Sequence, residues 1–136
     1  MALTHSGISH TNRLNGLALV QFTGPEAANF LQGQLTQDMH DAGAGRTLLA
    51  ACNTAQGRVI AVLRVRQIGT DVSALVAADV VDALVAHLKR YVLRAKVRIA
   101  ADHGAAIIGR RGGNTGAATT DSATDAANDN TAIIFQ

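Results

Sequence analysis

Arg58-Val-Ile-Ala-Val-Leu-Arg-Val-Arg66 is the stretch from which the fold can be read. Aliphatic residues fill it, and neither Gly nor Pro interrupts it. Its side chains alternate: Val59, Ala61, Leu63 and Val65 share one face, and Ile60, Val62, Arg64 and Arg66 share the other. That predicts a strand with one buried face and a second face that turns basic toward its end. On the N-terminal side, Asn53 to Gly57 reads as a turn leading back to a strand at Thr47-Leu-Leu-Ala-Ala-Cys52. On the C-terminal side, Ile68-Gly-Thr-Asp71 reads as a hairpin loop into a strand from Val72 to Ala77. Strands joined by such short turns pair antiparallel.

Further out, Gly16-Leu-Ala-Leu-Val-Gln-Phe22 is a short apolar run closed by Thr-Gly-Pro, a strand feeding a helix start. Thr23 and Glu26 have capping-box spacing, with Pro25 in the first turn where its missing N–H does no harm. Ala27, Phe30, Leu31 and Leu35 recur at helical spacing, which predicts a helix from Pro25 to Thr36. Gly33 inside it costs up to about 1 kcal/mol relative to Ala, so close packing is expected there. Gly43-Ala-Gly45 breaks the chain before the next strand. Its place between helix and strand is the reverse of a dinucleotide-binding loop.

A second helix is expected with Asp79 as N-cap, Asp82 near the positive end of the dipole, and Val81, Leu84, Val85, Leu88 and Val92 on its inner face. After Tyr91 the period becomes two. Leu93, Ala95, Val97 and Ile99 alternate with Arg94, Lys96 and Arg98, predicting a strand with one aliphatic and one positive face. A further strand is expected at Ala105 to Ile108. The order of elements fits an α+β domain with a mostly antiparallel sheet and two helices on one face.

The chain has 136 residues, 48% of them apolar, enough for one ordinary core. Only four residues are aromatic and none is Trp, so the core is aliphatic and a ring-stacking pocket is poorly furnished. The single cysteine, Cys52, cannot form an internal disulfide and reads as a core thiol. No Cys/His cluster has metal-site spacing, and the five histidines are scattered. No signal peptide or run of eighteen apolar residues is present, so no membrane association is expected and the expected location is the cytoplasm. A net charge of +2 conceals nine Lys/Arg against three Asp between residues 46 and 98. Such a middle is either an ordinary solvated face or an attractor of anions. No interleaved aromatics accompany it, so direct nucleic-acid binding is not expected.

Residues 112 to 130 are dominated by Gly, Ala, Thr, Asn and Asp and cannot bury enough surface to order themselves. The chain then ends in Thr-Ala-Ile-Ile-Phe-Gln136, which begins a strand and stops. The expected organisation is a subdomain at 1–110, a flexible linker at 111–130, and the start of a truncated second subdomain at 131–136.

Three segments together resemble a known family. They are Phe30-Leu-Gln-Gly-Gln-Leu-Thr-Gln-Asp38, Gly57-Arg-Val-Ile-Ala-Val-Leu-Arg64 and Leu88-Lys-Arg-Tyr-Val-Leu-Arg-Ala-Lys-Val-Arg-Ile99. In this order, over about residues 14 to 110, they resemble the N-terminal region of the YgfZ-type folate-binding proteins, relatives of the T-protein of the glycine cleavage system. The resemblance implies the first half of a T-protein-like folate-binding fold, with tetrahydrofolate or a derivative as ligand and no metal. It implies an accessory role in iron–sulfur cluster assembly or repair, with client proteins that include tRNA-modifying enzymes. A Lys-Gly-Cys-Tyr-x-Gly-Gln-Glu motif marks the later half of that family, and this sequence does not contain it.

T-protein-like enzymes carry an Asp pair where this chain has Ala61 and Val62, neither of which can take a proton. An aminomethyltransferase-like enzyme is therefore the alternative reading, beside a degenerate domain that only makes protein contacts. The resemblance marks Leu17, Gln34, Asp38 and Arg58 as folate-binding candidates. Leu17 stands where the family can present an aromatic ring to the pterin, and a guanidinium at Arg58 suits a glutamate carboxylate. Arg94, Lys96 and Arg98 form the candidate anion-attracting face, suited to phosphates or a polyglutamate tail. A half of a strand-exchanging fold leaves sheet edges uncovered, which predicts a homodimer through those edges.

Overall fold

The computed structural model describes residues 10–44, 47–111 and 132–135. In chain order these form strands β1 (His10–Arg13) and β2 (Leu17–Thr23), helix α1 (Ala27–Gln32) and a short 3-10 segment (Met39–Ala44). Strands β3 (Leu48–Asn53), β4 (Val59–Ile68) and β5 (Asp71–Ala77) follow, then helix α2 (Val81–Lys89) and strands β6 (Arg98–Asp102), β7 (Ala106–Arg111) and β8 (Ala132–Phe135). The polypeptide divides into two compact units. One is Gly16–Gly104, and the other holds the described residues on either side of it.

The Gly16–Gly104 unit is a five-stranded antiparallel sheet of order β3-β4-β5-β2-β6 with two helices. The expected meander is its centre. The β4–β5 hairpin closes with Ile68 opposite Asp71, and Gly69 at φ +62 supplies the positive φ that a two-residue type II′ turn needs at its first central position. Alternation puts Ala18, Val20 and Phe22 of β2, Ala61, Leu63 and Val65 of β4, and Val72, Ala74 and Val76 of β5 in one buried cluster. Phe30 and Leu31 of α1 and Val81, Leu84 and Leu88 of α2 complete the same cluster, so both helices pack on that face. Each aliphatic side chain removed from water here contributes about 1.5–3 kcal/mol.

Past the bulge in the β3–β4 pairing at Cys52/Asn53, Val59 is 60% exposed and Ile60 packs on the core, the reverse of the expected faces. Four further expectations change. The helix from Pro25 to Thr36 is only Ala27–Gln32, with Glu26 at its N-cap and no side-chain cap. Thr23 is drawn into the β2–β6 ladder opposite Arg98, while the Glu26 carboxylate accepts a hydrogen bond from the Lys96 amide at 2.6 Å. Beyond Gln32 the chain leaves the helix to serve β3: Leu35 bridges Cys52, the Thr36 amide donates to the Ala51 carbonyl, and the Ala51 amide donates to Thr36 Oγ1. That covers part of the β3 edge.

Gly33 is not a close-packing site, since a β-carbon there would meet only the Phe30 carbonyl at 3.7 Å. The tight glycine is Gly24, at φ +125, where a β-carbon would overlap the Lys96 carbonyl oxygen. Asp79 does not cap α2, whose N-cap is Val80 without a side-chain bond. The fourth change concerns residues 93 to 97, which are loop rather than strand, with β6 starting at Arg98. Their amides are used locally, Leu93 donating to the Tyr91 carbonyl and Val97 to that of Ala95, as in tight three-residue turns.

In the other unit, β7 lies between β1, antiparallel, and β8, parallel. Ile107 is its buried apolar residue, and the Leu14 amide extends the β1–β7 pairing to the Ile107 carbonyl. The expected linker lies outside the described residues, apart from Arg111.

Candidate ligand-binding face

The second face of the five-stranded sheet mixes apolar and polar side chains, with Leu19 and Leu75 buried on it. One row across all five strands reads Leu49, Arg64, Leu75, Leu19 and Asp102. The next reads Arg66, Ser73, Gln21 and Ala100 from β4 to β6. Beyond it a cleft of about 160 Å³ is lined by Gln21, Thr23, Ile68, Asp71, Val72 and Ser73.

Arg66 is the unusual residue here. It is 8% exposed, the buried charged side chain among the described residues, and its Nε has no hydrogen-bond partner. No ion pair among the described residues involves it. A buried guanidinium without a carboxylate carries an unrecovered desolvation cost, and it stands across the ladder from Ser73 and one same-face step from Ile68, both on the cleft wall. The arrangement can take an anionic group beside neutral hydrogen-bonding groups, with Gln21 and Ser73 able to donate and accept. Asp71 is partly committed, since its Oδ1 accepts from the Gly24 amide at 3.1 Å.

Leu17 lies half-buried on this face, opposite Ala77. Val62 belongs to it too and is 53% exposed, whereas Ala61 points into the core at 4%. Of the two positions where T-protein-like enzymes hold Asp, only 62 looks outward, and it carries an isopropyl group. Arg58 is exposed beyond the β3–β4 turn, its amide donating to Thr54 Oγ1.

Gln34 and Asp38 are elsewhere, on the chain that leaves α1. Asp38 Oδ1 accepts from the His40 amide at 3.0 Å and pairs with His40 Nδ1 at 2.7 Å. These bonds, the backbone one foremost, hold its carboxyl below the ordinary carboxylate range. Close by, a second cleft of about 260 Å³ is lined by Pro25, Ala28, Asn29, Gln32, Met39, His40 and Gln67. Neither Gln34 nor Asp38 lines it. Arg94, Lys96 and Arg98 are exposed, but the first two sit on a loop and do not form a strand face with the third. Sequence reasoning missed Arg66 as a site residue. Its signal was the alternation that places it after Arg64 on the non-core face of β4.

Burial pushes the Cys52 thiol up from its ordinary value, as an inert core thiol requires. Among the described residues no group of three His, Cys, Asp or Glu could hold a metal ion, and no helix is long and apolar enough to cross a membrane.

No family model matches the chain. Over 99 residues, 73% of its length, it is 33% identical to the tRNA-modifying protein YgfZ of Cronobacter sakazakii and to that of Serratia proteamaculans. It is 32% identical over 100 residues to the same protein of Edwardsiella ictaluri. The chain spans about 30% of the length of these relatives. Among solved structures, the glycine cleavage system aminomethyltransferase T from Bartonella henselae matches 69% of this chain and 26% of its own, with a TM-score of 0.62 at 16% identity. That likeness shows a shared α+β fold.

Proposed function

We propose, from the premise that this chain is homologous to the YgfZ tRNA-modifying proteins, that it is part of a folate-binding accessory protein. Its role is to support iron–sulfur cluster assembly or repair in client enzymes of the cytoplasm, tRNA-modifying ones among them. The observation that carries the ligand reading is the orphaned Nε of buried Arg66 beside a cleft of mixed lining, in which Gln21, Thr23, Asp71 and Ser73 stand with Ile68 and Val72. A folate offers the complementary chemistry: carboxylates for a guanidinium, and a pterin edge of alternating donors and acceptors for Gln21 and Ser73. Tetrahydrofolate, when bound, supplies a carrier of one-carbon units. The chain's own residues bind and orient it.

Leu17 and Val62 give this face aliphatic rather than aromatic walls, which costs about 0.5–1.5 kcal/mol of stacking. Gln34 and Asp38, on the chain leaving α1, and Arg58, at the far end of β4 from this cleft, are not assigned contact with a ligand bound there. Arg94, Lys96 and Arg98 would attract a polyglutamate tail from a distance. Valine at the outward position 62 speaks against aminomethyl transfer, and we assign none. Calorimetric titration with tetrahydrofolate tests the reading. Saturable heat that is lost in Arg66→Met, with the fold retained by circular dichroism, is expected; equal heat from both proteins would remove Arg66 from the site.

A further inference from the structure

The loop between α2 and β6 is built to hold one leucine in water. Among the described residues Leu93 is the most exposed large apolar side chain, at 85%, and Tyr91 two residues earlier is 45% exposed. The alternate residues do the opposite: Val92, Ala95 and Val97 are partly buried and pack on the core cluster. Both ends are fixed. Arg90 and Tyr91 donate to the last carbonyls of α2, and Lys96 is bonded to Glu26 through its amide and its carbonyl. The Tyr91 ring rests against that of His87, centroids 5.1 Å apart. Leu93 is therefore displayed by an ordered loop with its neighbours anchored, and little conformational freedom is left to lose on contact.

The exposed charged side chains of the loop and of the end of α2 are basic, while the Glu26 carboxylate is held on the Lys96 amide. Lys89, Arg90, Arg94 and Lys96 are exposed, and none of them makes an ion pair with the described residues. An exposed apolar side chain flanked in sequence by exposed cations is the complement of a partner surface with an apolar pocket and an acidic rim. The geometry points to this loop as a docking site for an acidic protein segment, with Leu93 as the anchor and the four cations as steering charges. Leucine favours protein over nucleic acid, because a nucleic-acid surface rewards stacking rings and cations but offers an aliphatic side chain little. The inference is independent of whether the sheet face binds folate.

The test is selection of a random displayed-peptide library on the 136-residue chain, with bulk tRNA as a second probe. Selected peptides are expected to place Asp or Glu around an apolar residue and to bind more weakly as salt is raised. They should lose roughly tenfold or more in affinity on Leu93→Ser and on Arg90→Glu/Arg94→Glu. All the changed side chains are exposed, so circular dichroism should report an unaltered fold. Peptides without acidic character, binding that Leu93→Ser leaves intact, or tRNA binding that the same substitutions abolish while no peptide is selected would each overturn the proposal.

Discussion

Replacing Gly24 by Ala should be far more damaging than replacing Gly33, although the surrounding sequence marks Gly33 as the more suspect of the two. At Gly24 the backbone has φ +125, which L-residues rarely adopt, and holding Ala there costs about 2 kcal/mol of strain. The added β-carbon would also overlap the Lys96 carbonyl oxygen, with the Lys96 carbon at 3.1 Å and the Val97 Cα at 3.2 Å. All three are backbone atoms, so no side chain can swing aside. The 93–97 loop must retreat, which strains the bonds from the Glu26 amide to the Lys96 carbonyl and from the Lys96 amide to the Glu26 carboxylate. Each contributes about 1 kcal/mol net, for a total loss of about 4 kcal/mol. At Gly33, φ is −81 and the nearest contact is ordinary, so Ala should stabilise by about 0.4–1 kcal/mol through the unfolded chain. Urea denaturation followed by circular dichroism reads both. The Gly24→Ala midpoint should fall by roughly 2–3 M at unchanged slope, and that of Gly33→Ala should stay or rise. A Gly24→Ala midpoint equal to wild type, or a larger loss at Gly33, would refute the packing described for this turn.

The two faces of β4 are distinguished by Ala61→Asp and Val62→Asp: the first buries a carboxylate in the core and should cost about 3 kcal/mol or more, the second should stay within about 1 kcal/mol, as read by thermal unfolding. Cys52 should resist iodoacetamide in the folded protein and react fully in urea, with mass spectrometry counting the adduct; rapid native labelling would contradict its burial. The bonds from His40, the backbone one foremost, hold the Asp38 carboxyl below the ordinary carboxylate range, so its stabilising effect is present above that range and lost as pH falls through the lowered one. The stability difference between wild type and Asp38→Asn should accordingly be constant above about pH 5 and vanish in strong acid; a difference that grows on acidification would reverse the sign.

The sheet's centre was legible because β4 alternates from Ala61 to Val65 between short turns, and the rule fails at its start, where a bulge leaves Val59 exposed and turns Ile60 to the core. What escaped was tertiary. Leu35 keeps helical spacing with Leu31 yet pairs with Cys52, because an open β3 edge offers its amides more than another helical turn does. Residues 93 to 97 alternate like a strand, but the loop alternates for a different reason, anchoring Val92, Ala95 and Val97 while displaying Leu93 and Arg94. The capping residues misled in the same way: Thr23 and Glu26 have the right spacing, and both are spent on bonds with the strand and loop some seventy residues later. The parallel pairing of β7 and β8 joins segments whose separation in sequence leaves no local signal. Leu17 and Val62 lie on the sheet face away from the core cluster, as alternation alone would place them, while the burial of Arg66 depends on three-dimensional packing that alternation alone does not convey.

Amide chemical-shift mapping of the isotopically labelled chain during titration with tetrahydrofolate addresses the ligand face directly. The account predicts saturable shifts centred on Gln21, Arg64, Arg66 and Ser73, absent in Arg66→Met. Shifts confined to the residues around Gln32 and His40, or none at any ligand concentration, would contradict it.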